Sequence, residues 1–257
     1  MNLIINWGEK LDIFMSDFEH INDVIGILVC GSYVTGNPSN HSDLDVHILL
    51  DNNVEYRERG NRIIDGLLIE YFANPPKQII KYFTDDLKDK SLMSQTQFAT
   101  GKILLDKNGE VKALKEKSIQ MIDDYYKNDN AAMSESTKYF LWDMLDDLQD
   151  AYENNKTDFD FLYFNLLDKM IFNYMNCINR PYSFKSILGN ITDNIVRKKY
   201  LLRELPDTAI SDLIAKSVQA VNKKDKMELY QSLAHEILDK FGGFDVDKYK
   251  LKSDLDT

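Results

Sequence analysis

The chain has 257 residues, 44% of them hydrophobic and 28% charged, which suffices for one large or two ordinary globular domains with buried cores. Its formal net charge of −11 counts against the broad phosphate-binding surface that a nucleic acid requires. No apolar run is long enough for a membrane span or a signal peptide, and the cysteines, Cys30 and Cys177, are isolated in apolar surroundings, so we expect a cytoplasmic protein without a membrane partner.

The first half of the sequence alternates between strand and helix patterns. Helical spacing of apolar residues from Ile4 to Ile21 predicts an opening helix, and the apolar run 25–30 predicts a buried strand. Gly31 to Ser42 is too rich in Gly, Asn, Pro and Ser for a long helix. Further strands are predicted at 44–50, 66–72 and 102–105, a turn at 106–109, and helices at 77–88 and 110–127.

The second half, after a polar break at 128–136, has only helical patterns. Apolar spacing predicts helices at 140–152, 159–178, 210–221 and 227–241. Asp207 is a candidate N-cap, and Gly242-Gly243 is a candidate left-handed helix stop. We therefore expect an α/β (α+β) domain over residues 1–130, followed by an all-α helical-bundle domain over residues 131–257.

Chemistry is concentrated where the first two predicted strands meet. Gly31 and Ser32 directly follow the first strand, and a glycine there lets the backbone approach a phosphate closely. Asp43 and Asp45 share one face of the second strand, because side chains two residues apart point the same way. Two carboxylates held this close repel unless a cation lies between them, and Mg²⁺ is the cation that prefers such ligands. Glu70 lies in an apolar run on a third strand and needs a partner, for which the same metal is the natural choice.

The Asp-x-Asp spacing alone is not informative, because it recurs in this chain. Residues 158 and 160, 245 and 247, and 254 and 256 have it too, in helical or terminal contexts and without a preceding strand and Gly-Ser. His47 follows the aspartates on their face of the strand, where it could lie near a nucleotide or serve only in the core. Without a cysteine or a third histidine nearby, a zinc site is not predicted.

This pattern resembles the signature of the DNA polymerase β-like nucleotidyltransferase superfamily. In that signature a strand is followed by Gly-Ser, here Gly31-Ser32, and then by a spacer and two aspartates, here in Asp43-Leu44-Asp45-Val46, with a third acid on a later strand. With a glycine at 36 and a serine at 42, the loop pattern is similar to that of one branch of the superfamily. This branch contains the antibiotic (aminoglycoside- and lincosamide-type) and the minimal nucleotidyltransferases. The resemblance covers about residues 28–72 and implies a nucleotidyltransferase domain with a mixed sheet, followed by the helical domain. One position departs from the pattern, because many relatives have arginine where this chain has Thr35.

The resemblance also implies the roles of the site residues. Asp43, Asp45 and Glu70 would be the catalytic residues and would bind two Mg²⁺ ions. Two such ions, when they lie about 3.5–4 Å apart, stabilise the attacking and the leaving oxygen of a displacement. The displacement would move a nucleoside monophosphate from a nucleoside triphosphate, the co-substrate, to a hydroxyl, with Glu70 as the base or only a metal ligand. Gly31 and Ser32 would bind the phosphates, and Lys102 or Lys185 would supply the cation that Thr35 lacks.

The acceptor is left open by the sequence. A small molecule, such as an antibiotic, is the first hypothesis, and protein or tRNA is the second, with the negative charge counting against tRNA. A different class is an antitoxin-like binding module with the same fold, although the full set of three acids counts against it. The related architecture also allows a homodimer.

Overall fold

The computed structural model describes residues 6–36, 38–127 and 131–252. The chain divides into two compact units, Met1–Lys127 and Asn128–Thr257. The predicted start of the first helix at Ile4 and the Asp-x-Asp spacing at 254 and 256 lie outside the described residues.

The N-terminal unit is built on a mixed sheet. Its strands are β1 (Val24–Cys30), β2 (Leu44–Leu50), β3 (Glu58–Ile64), β4 (Leu67–Asn74) and β5 (Lys102–Asp106). Its helices are α1 (Trp7–Ser16), α2 (Ser32–Thr35), α3 (Pro76–Lys88), α4 (Met93–Thr100) and α5 (Glu110–Lys127), with a 3₁₀ turn at Ile21–Asp23. Within residues 6–127 the described strands form one sheet in the order β3-β4-β2-β1-β5, in which β2 and β4 are parallel and the other neighbours antiparallel.

Strand alternation gives the sheet two differently covered faces. Leu44, Val46 and Ile48 of β2 pack with Leu11 and Phe14 of α1 on one face. The other face is covered by α3, α4 and α5, whose apolar residues pack against the intervening positions of β1 and β2. Asp45 alternates with Leu44 and Val46, so its carboxylate lies on the side of the sheet that α3, α4 and α5 cover.

The sequence-based expectation for the third strand was incomplete. Asp65 and Gly66 both have positive φ, 43° and 82°, and form the two-residue turn of a hairpin between β3 and β4. The expected strand at 66–72 therefore begins one residue later, at Leu67, and the preceding strand β3 was not predicted. Helix α4 was not predicted either, since its sequence has little amphipathic pattern.

The C-terminal unit is helical throughout its described elements. These are α6 (Glu135–Glu153), α7 (Phe159–Cys177), α8 (Ile187–Thr192), α9 (Asn194–Lys199), α10 (Thr208–Gln219) and α11 (Lys223–Lys240), with 3₁₀ turns at Phe184–Ser186 and Val246–Lys248. Tyr163, Tyr174 and Tyr230 are among the largest fully buried side chains of its core. The N-cap prediction is confirmed, because the Asp207 carboxylate accepts hydrogen bonds from the Ala209 and Ile210 amides.

Short helices α8 and α9 were not predicted, because six residues are too few for a clear apolar period. Gly242 and Gly243 both have positive φ just after α11, which confirms the predicted left-handed stop. No helix in the described part of the chain combines the length and apolar character needed to cross a bilayer.

Candidate functional site

Three carboxylates converge at one end of the sheet in the N-terminal unit. One oxygen each from Asp43, Asp45 and Glu70 lies within 4.8 Å of the others. All three side chains are partly exposed, so the cluster is open to a ligand from solvent. The sequence-predicted acids therefore meet in space.

Strand register explains why the acids meet. Asp45 on β2 lies directly opposite Glu70 on the parallel neighbour β4, and paired residues on adjacent strands point to the same face. Asp43 lies two residues before Asp45 and precedes the start of β2. A turn immediately before it is held by hydrogen bonds from the Ser42 amide to the Ser39 carbonyl and from the Ser39 amide to the Ser42 hydroxyl. The loop therefore delivers Asp43 to the strand end in a fixed position.

Gly31 is required for the position of Asp45. Its φ of 74° lies in the left-handed region, and a β-carbon on residue 31 would stand 2.0 Å from the Asp45 carboxylate oxygen Oδ2. A side chain at this position would displace the carboxylate. The sequence predicted that this glycine makes room for a phosphate, but in the structure the nearest group that it makes room for is Asp45.

The charges of the cluster are unfavourable as they stand. Burial, and then the negative charges of Asp43 and Glu70, raise the pKa of Asp45 from 3.8 to about 6. Within the described part of the chain neither the Asp43 nor the Asp45 carboxylate has a hydrogen-bonding or ion-pair partner. Such groups lack a counter-charge, which a divalent cation would supply.

Arg59 lies at the edge of the cluster and was not identified from the sequence. Its Nη2 donates a hydrogen bond of 2.5 Å to Oε1 of Glu70, and its guanidinium lies 4.8 Å from the centre of the Phe72 ring. Arg59 faces Phe72 in the register of β3 and β4, so it shares the sheet face of the acids. The signal that could have located it is Asp65-Gly66, a typical hairpin turn, which would have placed Arg59 on a strand beside Glu70.

Two residues next to the acids are buried rather than exposed to the site. His47 is 5% exposed, stacks against Phe72, and its Nε2 lies 3.2 Å from the side-chain oxygen of Gln97. Burial lowers the pKa of His47 from 6.5 to about 4, in spite of the hydrogen bond to Gln97, so the imidazole is neutral at physiological pH. Burial, with the nearby charges of Asp45 and Asp43, raises the pKa of the Cys30 thiol, which is fully buried and therefore inert.

The loop after β1 contains Ser32, which was predicted to bind phosphate, and Thr35, which was expected to lack a needed positive charge. Ser32 begins the short helix α2 directly after Gly31, beside the acids. Thr35 takes the position at which the resemblance implied an arginine, and its hydroxyl donates a 3.0 Å hydrogen bond to the Gly31 carbonyl. Thr35 thus stabilises the loop through its hydroxyl group, although it brings no positive charge.

Of the two predicted lysines, Lys102 lies in the same unit as the acids but is not brought to them. Lys102 pairs with Val29 on the face of the sheet that packs on α1, and its ammonium lies 5.5 Å from the centre of the Trp7 ring. The acids lie on the opposite face. Lys185 belongs to the C-terminal unit, in the 3₁₀ turn Phe184–Ser186. Among the residues that the structure describes, the cationic side chain that contacts an acid of the cluster is that of Arg59.

The cluster fits a magnesium ion by the chemistry of its donors. Three carboxylates supply hard oxygen ligands, and Mg²⁺ is usually held by one or two carboxylates with waters and substrate phosphates completing its shell. The raised pKa of Asp45 adds a second argument, because bringing the carboxylates together is favourable only when their charge is offset.

Comparison with known protein families agrees with this geometry. The sequence profile of the nucleotidyltransferase domain matches residues 11–99, which include Gly31, the three acids and Arg59. Among solved structures, a nucleotidyltransferase-like protein from Exiguobacterium sibiricum is similar over 91% of this chain and 75% of its own, with 10% identity and a TM-score of 0.44. No curated protein matches the chain. The chain thus has a nucleotidyltransferase domain at its N-terminus, followed by a helical region.

Proposed function

We propose that this protein transfers a nucleoside monophosphate from a nucleoside triphosphate to a hydroxyl group of a small molecule, such as an antibiotic. The observation that carries the proposal is the meeting of Asp43, Asp45 and Glu70 within 4.8 Å beside Gly31, inside the segment that matches the nucleotidyltransferase profile. Each residue takes a role that its position supports.

Asp43 and Asp45 hold the divalent cation that accompanies the triphosphate. Their carboxylates lack partners within the described residues, so binding a cation displaces no existing ion pair of theirs. Glu70 lies opposite Asp45 in the sheet, and it would hold a second cation together with the two aspartates. When bound, two Mg²⁺ ions supply charge stabilisation for the attacking and leaving oxygens of the transferred phosphoryl group.

Glu70 lies on the side of the cluster that adjoins the hairpin of β3 and β4. Beyond it, the hairpin of β3 and β4 leaves Asn61, Ile63 and Leu68 exposed on the same sheet face, with Ile63 71% exposed. We place the acceptor on this surface, where its hydroxyl approaches Glu70. The hydroxyl oxygen attacks the α-phosphorus and the bond from this phosphorus to pyrophosphate breaks, so that pyrophosphate leaves, while Glu70 accepts the hydroxyl proton.

Gly31 and Ser32 form the phosphate-binding end of β1. The backbone turns sharply at Gly31, and the amide and hydroxyl of Ser32 at the start of α2 are available to phosphate oxygens. The charge stabilisation that dominates phosphoryl transfer thus comes from the cations and from a fixed backbone.

The test is transfer of label from α-labelled nucleoside triphosphates in the presence of Mg²⁺, against an antibiotic panel, a metabolite pool, protein and tRNA. We expect label on small molecules with wild type, none with Asp45→Asn, and wild-type transfer with Asp12→Asn, which removes an exposed carboxylate on α1. Label on protein or tRNA alone would reject the small-molecule acceptor. Transfer by Asp45→Asn near the wild-type rate would reject the metal-dependent site.

A further inference from the structure

Arg59 differs from an ordinary surface arginine because its ion-pair partner belongs to the acidic cluster. We infer that Arg59 is a positioning residue, which holds Glu70 while no cation is bound and releases it when a cation binds. This inference rests on the proposed function. Arg59 and the cation thus compete for Glu70, and the arginine sets the affinity of the site for divalent cations.

The contact geometry gives Arg59 a defined place. Its Nη2 lies 2.5 Å from Oε1 of Glu70, and its guanidinium stacks at 4.8 Å on Phe72. Phe72 itself stacks on the buried His47, with 5.3 Å between ring centres, so the ring under the guanidinium is fixed from behind. A planar guanidinium on an aromatic ring is pre-organised for a directed bond to a carboxylate. Arg59 therefore orients Glu70 before ligand binding.

The exposures of the two partners show which one is free to move. The Arg59 side chain is 69% exposed, whereas the Glu70 side chain is 19% exposed. A guanidinium that is already largely hydrated leaves a carboxylate at low cost, because water replaces the lost bond. Glu70, held between its sheet neighbours, stays in place and passes from the arginine to a cation.

Charge determines the direction of the effect. Three carboxylates attract a divalent cation, and the single positive charge of Arg59 at Glu70 opposes it. Removing that charge should therefore tighten cation binding. A purely supporting role predicts the reverse, because loss of the contact would let Glu70 move away from the other two acids.

A matched control lies on the same strand. Arg62 is also an exposed arginine of β3, but it points to the opposite face, where its Nη2 lies 3.2 Å from Oδ2 of Asp17. Substitution of Arg62 changes the net charge of the protein by the same amount as substitution of Arg59. The comparison therefore separates a local effect at Glu70 from a general effect of charge.

The experiment is a titration of the full chain with Mn²⁺ alone, followed by electron paramagnetic resonance of the free ion, without nucleotide. We expect Arg59→Met to tighten Mn²⁺ binding roughly three- to tenfold, as for loss of one partly screened charge near a divalent ion. Arg62→Met and the charge-keeping Arg59→Lys should stay within twofold of wild type. Circular dichroism confirms that each variant is folded.

Combination with Glu70→Gln tests whether Arg59 acts through Glu70. If it does, Arg59→Met has little effect on the weaker Mn²⁺ site that remains on Asp43 and Asp45, because the effects of coupled residues are not additive. Unchanged or weaker Mn²⁺ binding in Arg59→Met overturns the inference, as does the same tightening in the Glu70→Gln background. If Glu70→Gln binds no Mn²⁺, the comparison of Arg59→Met with Arg62→Met decides. Absence of Mn²⁺ binding in wild type would instead count against the proposed function itself.

Discussion

The carboxylate of Asp45 occupies the space beside Gly31 that any other side chain would need. A β-carbon at residue 31 would lie 2.0 Å from Oδ2 of Asp45, and the backbone of Gly31 has a φ of 74°. The glycine and the aspartate are thus one structural unit, formed where β1 ends and β2 begins. The proposed metal site depends on residue 31 as much as on the acids.

Gly31→Ala should therefore destroy the site. We expect the alanine to displace the Asp45 carboxylate and to add about 1–3 kcal/mol of backbone strain. The measurement is the rise in melting temperature on addition of Mg²⁺. This rise should be absent in Gly31→Ala. Gly36→Ala is the control, because Gly36 also has positive φ, 98°, but a β-carbon there has nothing within 4 Å. If Gly36→Ala loses the Mg²⁺ response and Gly31→Ala keeps it, the steric explanation is wrong.

Removal of one acid should stabilise the protein when no divalent cation is present. Asp45 is held near two like charges and is partly buried, so Asp45→Asn removes an unfavourable charge. In the presence of a chelator we expect its melting temperature to exceed that of wild type by a few degrees. Asp12→Asn, on the exposed side of α1, should leave the melting temperature unchanged. A lower melting temperature for Asp45→Asn under chelation would contradict the electrostatic account.

Binding of Mg²⁺ should release a proton in weakly acidic solution. With a pKa of about 6, Asp45 is half protonated near pH 6 and ionised at pH 8. A cation must displace that proton, so affinity falls as the pH is lowered through 6. Calorimetry in buffers of different ionisation heat should show about half a proton released at pH 6 and almost none at pH 8, by the same argument. Equal release by Asp45→Asn would assign the proton to another group.

His47 should contribute stability that is lost in acid. Its pKa is lowered from 6.5 to about 4 in the folded protein, so between these values the unfolded chain binds more protons and stability rises with pH. Asp45, whose pKa is raised from 3.8 to about 6, acts in the opposite direction over nearly the same window. The informative quantity is therefore the difference between wild type and a variant.

For His47→Phe, urea unfolding at pH 4.5 and pH 7 should show a smaller loss of stability on acidification than wild type. The exposed His41 provides the control, and His41→Gln should follow wild type at both pH values. A steeper acid loss in His47→Phe would mean that the imidazole is not buried in its neutral form.

The acids could be predicted from the sequence because their arrangement follows from local rules. A spacing of two residues at a strand start predicts that Asp43 and Asp45 share one face, and the apolar run around Glu70 predicts another buried strand. Which strand lies next to which depends on long-range pairing. The sequence alone did not show that Asp45 and Glu70 are direct neighbours in the sheet.

The positions of Arg59 and Lys102 could not be predicted from local sequence patterns. Strand β3 is an edge strand with little burial, so it lacks the apolar signal that identifies β1 and β2. Lys102 was predicted as a replacement for the cation that Thr35 lacks, but its register with Val29 turns it to the face of the sheet opposite the acids. A shift of one residue in register changes the face of every side chain, and composition does not fix it.

The most direct test of the account is the number of divalent cations bound by the protein with a non-hydrolysable nucleoside triphosphate. Mn²⁺ titration followed by electron paramagnetic resonance should give two ions per chain for wild type and fewer for Asp45→Asn, with Asp12→Asn unchanged. The same number of ions bound by Asp45→Asn and by wild type would contradict the claim that these acids hold the catalytic metals.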